Sequence, residues 1–207
     1  MKLIPLLLLT CLCEKEFWIS HKALDGSHIP FQPKIGIEPY SNYLQMTLDF
    51  KYFKPIFARL NSTVGVPPLI TRGEAHVTVI SPPEYETVLS RYVDISEINF
   101  IAKKLKIQTS HFKISCVGRD AKFIDGKNQI AYNLVLKDTH HLVAIRKVVF
   151  NLYKGRGGEG SLFQPEAFWG HITLGFKHRD LFIEDGIFKG ENSCWAPVKM
   201  TPKCNML

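Results

Sequence analysis

His76-Val77-Thr78-Val79 returns ninety-five residues further on as His171-Ile172-Thr173-Leu174. Each unit reads His, apolar, Thr, apolar, inside a segment with β-strand character. Successive strand side chains point to opposite faces, so His and Thr share one face while Val77, Val79, Ile172 and Leu174 point into a core. One such unit is ordinary strand chemistry, because a His beside a Thr can be a hydrogen-bonded structural pair. Two units in one chain imply that a rigid element presents the same polar pair twice.

The flanking segments repeat as well. Tyr43 to Asp49 reads as a strand and Lys54 to Leu60 as a short helix opened by Pro55, where the missing N–H costs nothing. A Pro-containing loop then leads to the strand Ala75 to Ile80. Ser81-Pro82-Pro83-Glu84 is a capping-box start for a helix to about Tyr92, and a second helix is expected over Glu97 to Lys104. Phe112 to Val117 and Gln129 to Leu136 flank Asp125-Gly126-Lys127-Asn128, which is hairpin chemistry. Asp138 or Thr139 can cap a helix whose apolar positions are Leu142, Ile145, Val149 and Leu152, with Arg146 and Lys147 assigned to its outer side. That helix runs out at Gly155-Arg156-Gly157-Gly158, and a loop leads to Trp169-Gly170-His171. Strand, helix, loop, His-x-Thr strand therefore occurs twice, an order that indicates internal duplication. Pseudo-two-fold packing of the copies would set both polar faces across one groove.

At the N-terminus, Lys2 precedes the apolar run Leu3 to Leu12, and Cys11-Leu12-Cys13 has small-residue spacing suited to a signal peptidase. Residues 1–13 are expected to be a cleaved secretory signal; the run is too short for a bilayer span, which needs roughly 20 residues. Residues 14–42 read as an irregular arm and 43–207 as one domain with a C-terminal extension. Loss of Lys2 would take the formal charge from +7 to +6, a balance compatible with a phosphorylated partner. Of the cysteines after the signal, Cys194 and Cys204 are close enough in sequence to close a terminal loop and leave Cys116 free, although spacing alone does not fix connectivity. Asn61-Ser62-Thr63 is an N-glycosylation sequon. No cysteine, histidine and carboxylate cluster with metal-ligand spacing accompanies the two units, so neither metal nor cofactor is expected.

The pair of His-x-Thr units, with the hairpin region Phe112 to Lys137 between them, resembles the duplicated signature of the 2H phosphoesterase superfamily over roughly Tyr43 to Lys177. The resemblance implies an α+β, bilobal, duplicated fold: two antiparallel sheets flanking a central cleft, with helices outside. It also implies His76 and His171 as a metal-free catalytic pair and Thr78 and Thr173 as phosphate-binding hydroxyls. The secretory signal, the N-terminal arm and the extension after Lys177 depart from the family's pattern and leave the substrate open.

The chemistry suits these residue types. Hydrolysis of a cyclic phosphodiester needs a base for water, an acid for the leaving ribose oxygen and donors for the non-bridging oxygens. Imidazole, with an ordinary pKa of about 6.5, can play either proton-transfer role near neutrality. Trp169 shares the strand phase of His171 and can stack on a base or simply pack at the rim. Arg72 and Lys177 near the strand ends can reach a phosphate or remain solvated charges. The expected activity is hydrolysis of 2′,3′-cyclic phosphate on nucleotides or RNA 3′-ends by a secreted monomer, with no stable nucleic-acid complex and no membrane association after cleavage. Two alternatives fit the same residues: a secreted nucleotide- or RNA-binding protein without turnover, and an enzyme of this fold acting on a non-nucleotide phosphoester.

Overall fold

The computed structural model describes residues 16–65 and 68–202. The expected signal over residues 1–13 and Cys204 lie outside the described residues. Among the described residues, seven strands and three α-helices form a mixed α+β structure. The strands are β1 Phe17–Ile19, β2 Leu44–Leu48, β3 Ala75–Ile80, β4 Lys113–Ile124, β5 Lys127–Lys137, β6 His171–Phe176 and β7 Cys194–Met200; the helices are α1 Lys54–Val64, α2 Ile95–Lys104 and α3 His140–Gly155. One sheet has the order β1-β7-β4-β5-β6, and β2 and β3 form a separate antiparallel pair. The larger sheet is not purely antiparallel, because β1 and β7 run parallel.

Strand β3 packs against β6, bringing the two motif strands side by side from different sheets. Their alternation is the expected one. Val77, Val79, Ile172 and Leu174 are 3 % exposed or less, while the His and Thr residues between them are only half-buried. The loop before β3 adds to the seam, since Ile70 and Phe176 exchange backbone hydrogen bonds of 2.8 and 2.9 Å. On the other side of β3, Thr47 of β2 stands opposite His76. Gln108 closes β2's free edge there, donating to the Thr47 carbonyl at 2.9 Å and accepting from its N–H at 3.0 Å. An edge strand beside the site is thus satisfied without a further strand.

The β4–β5 hairpin turns at Asp125-Gly126, both with positive φ, as the I′ hairpin geometry demands. The strands are longer than the alternation indicated, because pairing continues past the core into solvent. Ser81 and Glu84 make the expected reciprocal capping bonds, of 2.8 and 3.3 Å. The segment they open, Glu84–Leu89, winds as a π-helix. Asp94 and Glu97 form a second capping box that starts α2 two residues earlier than expected.

Four expectations require correction. The N-terminal arm is not irregular throughout: β1 pairs with β7 from the far end of the chain, a partner that local periodicity cannot reveal. The C-terminal extension is part of the sheet, with β7 between β1 and β4. Consequently Cys194 does not pair with Cys204. It is bonded to Cys116 of β4, with Cα atoms 5.6 Å apart, because β7 lies alongside β4 and presents it there.

The fourth correction concerns Arg146, which is not on the outer side of α3 but 1 % exposed. It lies one turn from both Leu142 and Val149, on the buried stripe that ends with Tyr153. Its charge is met by Glu84 through bonds of 2.8 and 3.2 Å. It also donates to the carbonyls of Val79, Gln164, Pro165 and Ala167. One guanidinium therefore ties the end of β3, the π-helix and the loop that leads to β6. Lys147 does face outward, paired with Glu166.

Two stability outcomes follow from these contacts. Replacing Cys116 and Cys194 together by Ala should cost about 2 to 5 kcal/mol in urea denaturation, the usual weight of a bond closing a long loop. Non-reducing peptide mapping should recover the Cys116–Cys194 linkage, and a Cys194–Cys204 peptide would contradict it. Arg146→Met should cost about 3 to 5 kcal/mol, because it strands a carboxylate and several carbonyls. Combining it with Glu84→Gln should cost less than the sum of the two single changes.

Candidate functional site

Between the motif strands lies a cavity of about 400 Å³ whose lining includes His76, Thr78, His171 and Thr173. Arg72, from the loop before β3, and Trp169, two residues before β6, line it too. Lys177 does not. Its backbone N–H bonds to the Ile130 carbonyl at the end of β6, and its side chain is not part of the lining. The cation that reaches the cavity from the C-terminal side is instead Lys189.

The two histidines are held differently. His171 Nδ1 lies 2.8 Å from the Trp169 carbonyl. A carbonyl oxygen only accepts, so Nδ1 carries the proton and Nε2 is the ring nitrogen left with a lone pair for the cavity. Burial, followed by the nearby Lys189 cation, pulls the His171 pKa well below the ordinary imidazole range, against smaller upward pulls from the Trp169 carbonyl and Asp180. His171 is therefore neutral at neutral pH. The penalty for charging it also makes the fold lose stability as pH falls below the unfolded imidazole value of about 6.5.

His76 has a carboxylate for its neighbour. Glu74 Oε1 stands 3.3 Å from His76 Nδ1, close enough for an ion contact but poorly aligned for a hydrogen bond. The His76 ring, offset in part by burial, holds the Glu74 carboxyl below the usual carboxylate range, so it is ionised at neutral pH. Lys34 of the N-terminal arm lies 3.9 Å from the same carboxylate. Tyr43 lines the cavity beside this group, and burial, then Glu74, pushes its phenol pKa up, keeping it a hydrogen-bond donor.

Beneath the threonines sits a residue that the motifs do not announce. Asp180 is 4 % exposed and accepts from four groups. Its Oδ2 takes Arg72 Nη2 at 3.0 Å and the Thr173 hydroxyl at 3.3 Å; its Oδ1 takes Lys189 Nζ at 2.8 Å and the Leu181 N–H at 2.8 Å. Burial pushes the Asp180 carboxyl up, but Lys189 and Arg72 more than offset this and hold it below the usual range. One buried carboxylate thus fixes two cations and one motif hydroxyl at the cavity. Asp180 sits in an unremarkable His-Arg-Asp-Leu run and Lys189 in a segment with no motif, so neither carries a local sequence signal. Arg146 and Glu84 also line the cavity, as the structural pair already described.

The cavity wall is apolar and partly aromatic. Trp169 packs on Phe188 with ring centroids 4.7 Å apart, and Phe182 lies under the Arg72 and Lys189 cations at 5.7 and 5.6 Å. The site can accept one anionic group between two imidazoles, two threonine hydroxyls and two cations, with apolar surface beside it.

No curated protein and no solved structure matches the chain. A family model does, that of 2H-SAK, the Swiss Army Knife 2H phosphoesterase domain, over residues 42–182. That span holds both His-x-Thr strands, the hairpin between them and Asp180, and it leaves out Phe188, Lys189 and β7. With the match covering most of its length, the chain belongs to the 2H phosphoesterase superfamily, as a 2H-SAK domain protein.

Proposed function

We propose that this protein is a metal-independent phosphodiesterase that opens 2′,3′-cyclic phosphates of nucleotides or RNA ends by acid–base catalysis between His171 and His76. One observation carries the assignment of roles. His171 is fixed as the Nδ1–H tautomer by the Trp169 carbonyl, leaving a basic Nε2 for the cavity that it shares with His76. In the hydrolytic direction, His171 Nε2 takes a proton from water as the water oxygen bonds to phosphorus. The bond from phosphorus to one ribose oxygen breaks, and His76 Nε2–H delivers its proton to that oxygen. Glu74 is the counter-ion beside His76 while the ring carries its second proton. The developing charge on the non-bridging oxygens meets Arg72, Lys189 and the hydroxyl of Thr78, while Thr173, whose one O–H goes to Asp180, helps fix the carboxylate that places both cations. Proton exchange with solvent returns each imidazole to its starting state.

The two His-x-Thr strands, each preceded by a strand and a helix, are read as the two halves of a duplicated, two-lobed unit. Secretion is proposed on the N-terminal apolar run, and the Cys116–Cys194 bond supports it, because such bonds persist in oxidising compartments. Asn61 is the proposed glycan acceptor in the last turns of α1. Its Oδ1 accepts from the Leu69 N–H at 2.8 Å, a bond that attachment at Nδ2 would leave in place.

Replacing either histidine by Ala should lower kcat on a 2′,3′-cyclic nucleotide by about 10² to 10⁴-fold while leaving the fold intact. The two variants should separate on leaving group. A p-nitrophenyl phosphodiester, whose leaving oxygen needs no acid, should restore much of the rate to His76→Ala and none to His171→Ala. Equal rescue of both would contradict the assignment. With His171 required neutral and its pKa depressed, the acidic limb of kcat/KM should lie below the ordinary imidazole range, and His171→Ala should abolish that limb.

Turnover should also survive EDTA, since the cleft supplies both proton-transfer groups and two cations from side chains. Loss of activity on chelation with recovery on adding a divalent metal would show that the histidines are ligands instead.

A further inference from the structure

We infer, resting on the phosphoester reading, that the substrate is a single nucleotide-sized molecule carrying one phosphate on a flat aromatic body, and not the end of an RNA strand. The first argument is charge. Among the described residues lining the cavity the cations are Arg72, Arg146 and Lys189, and the carboxylates are Glu84, Asp180 and Glu184. The formal charges cancel. Arg146 is consumed by Glu84 and four carbonyls, while Arg72 and Lys189 share Asp180. A strand-binding groove needs Lys and Arg side chains spaced along the backbone it follows. Here the cations available to an incoming anion sit together on one buried carboxylate, in a place for one phosphate. The formal charge of +7 on the chain is not concentrated among the residues that line the cavity.

The second argument is the wall. The stretch 182–188, just where the family match ends, brings Phe182 and Ile183 to the cavity lining, each nearly half exposed, and sets the equally exposed Phe188 against Trp169. Trp169 is 37 % exposed and its ring is held by its neighbours. Phe188 packs on it, and Gly190 leaves room for it, since a Cβ there would stand 2.9 Å from Trp169 Cδ1. An indole fixed in place beside the histidine whose tautomer its own carbonyl sets is a stacking platform for a planar ring. The cavity volume of about 400 Å³ is at the lower end of the range for small-molecule sites. Phosphate at the threonines and a ring against Trp169 would fill it.

Binding tests this separately from turnover. The probes are adenosine 2′-monophosphate, inorganic phosphate and a short oligoribonucleotide ending in the same 2′-phosphate, titrated by tryptophan fluorescence with Trp169→Phe as control. The mononucleotide should quench, bind at least as tightly as the oligonucleotide and at least about tenfold tighter than inorganic phosphate. Its affinity should fall with salt with a log–log slope no steeper than about −1, as one phosphate contact gives. Phe188→Ala and Gly190→Ala should weaken the nucleotide and leave inorganic phosphate unchanged. An oligonucleotide preferred tenfold with a steep salt slope, or inorganic phosphate binding as tightly as the nucleotide, would overturn the inference. So would failure of both nucleotides to bind. If the mononucleotide binds as described but its 2′,3′-cyclic form is not hydrolysed, the proposed reaction falls and the ligand class stands.

Discussion

A carboxylate buried as deeply as Asp180 must be neutralised where it stands, and the way this is done organises the site. The partners come from three separate parts of the chain: Arg72 before β3, Thr173 within β6 and Lys189 from the segment that leads to β7. Because each partner is tied to the same oxygen pair, the relative position of the two motif strands is coupled to that of the C-terminal segment. Lys189, so placed, also raises the cost of charging His171. The anchor that holds the two cations thus helps keep the neighbouring imidazole uncharged.

A second buried ion pair works on the other side of the cavity. Arg146 grips the carbonyls of Gln164, Pro165 and Ala167, which belong to the loop that delivers Trp169 to its place before β6. The Trp169 carbonyl in turn sets the His171 tautomer. The chain of cause runs from a helix residue, through a loop held by its carbonyls, to the tautomer of an imidazole in the cavity. Glu84 joins the same guanidinium to the turn just after β3, so the loops following and preceding the two motif strands are fixed to one point.

Much of this was legible in the sequence, and the rest has physical reasons for having been hidden. Strand alternation marked β3 to the residue, and the same period put His76, Thr78, His171 and Thr173 on one kind of face. Asp125-Gly126 marked the hairpin because few other residue pairs accept two positive φ values. Arg146 was misplaced because its charge was given more weight than its spacing; Leu142, Ile145, Arg146, Val149 and Tyr153 form one stripe, and Leu152, read as core, is only half-buried. Nearness in sequence favours Cys204 as the partner of Cys194, whereas the actual pairing depends on β7 entering the sheet beside β4. Lys189 had no signal at all, since a lone lysine gains its role only from the buried carboxylate it meets. Lys177, closer to the motif in sequence, ended outside the cavity for the same reason.

His171 is a neutral, Nδ1-protonated imidazole with Nε2 free for a proton, sharing one cavity with His76. Nitrogen-15 NMR of the histidine side chains reads tautomer and charge directly. With ring-labelled protein and single His→Gln variants for assignment, His171 should show a protonated Nδ1 and an unprotonated Nε2 across the range from about pH 5 to 8, and its Nε2 resonance should shift when adenosine 2′-monophosphate binds. A His171 ring that titrates near the unperturbed value of about 6.5, or that carries its neutral-state proton on Nε2, would contradict the account.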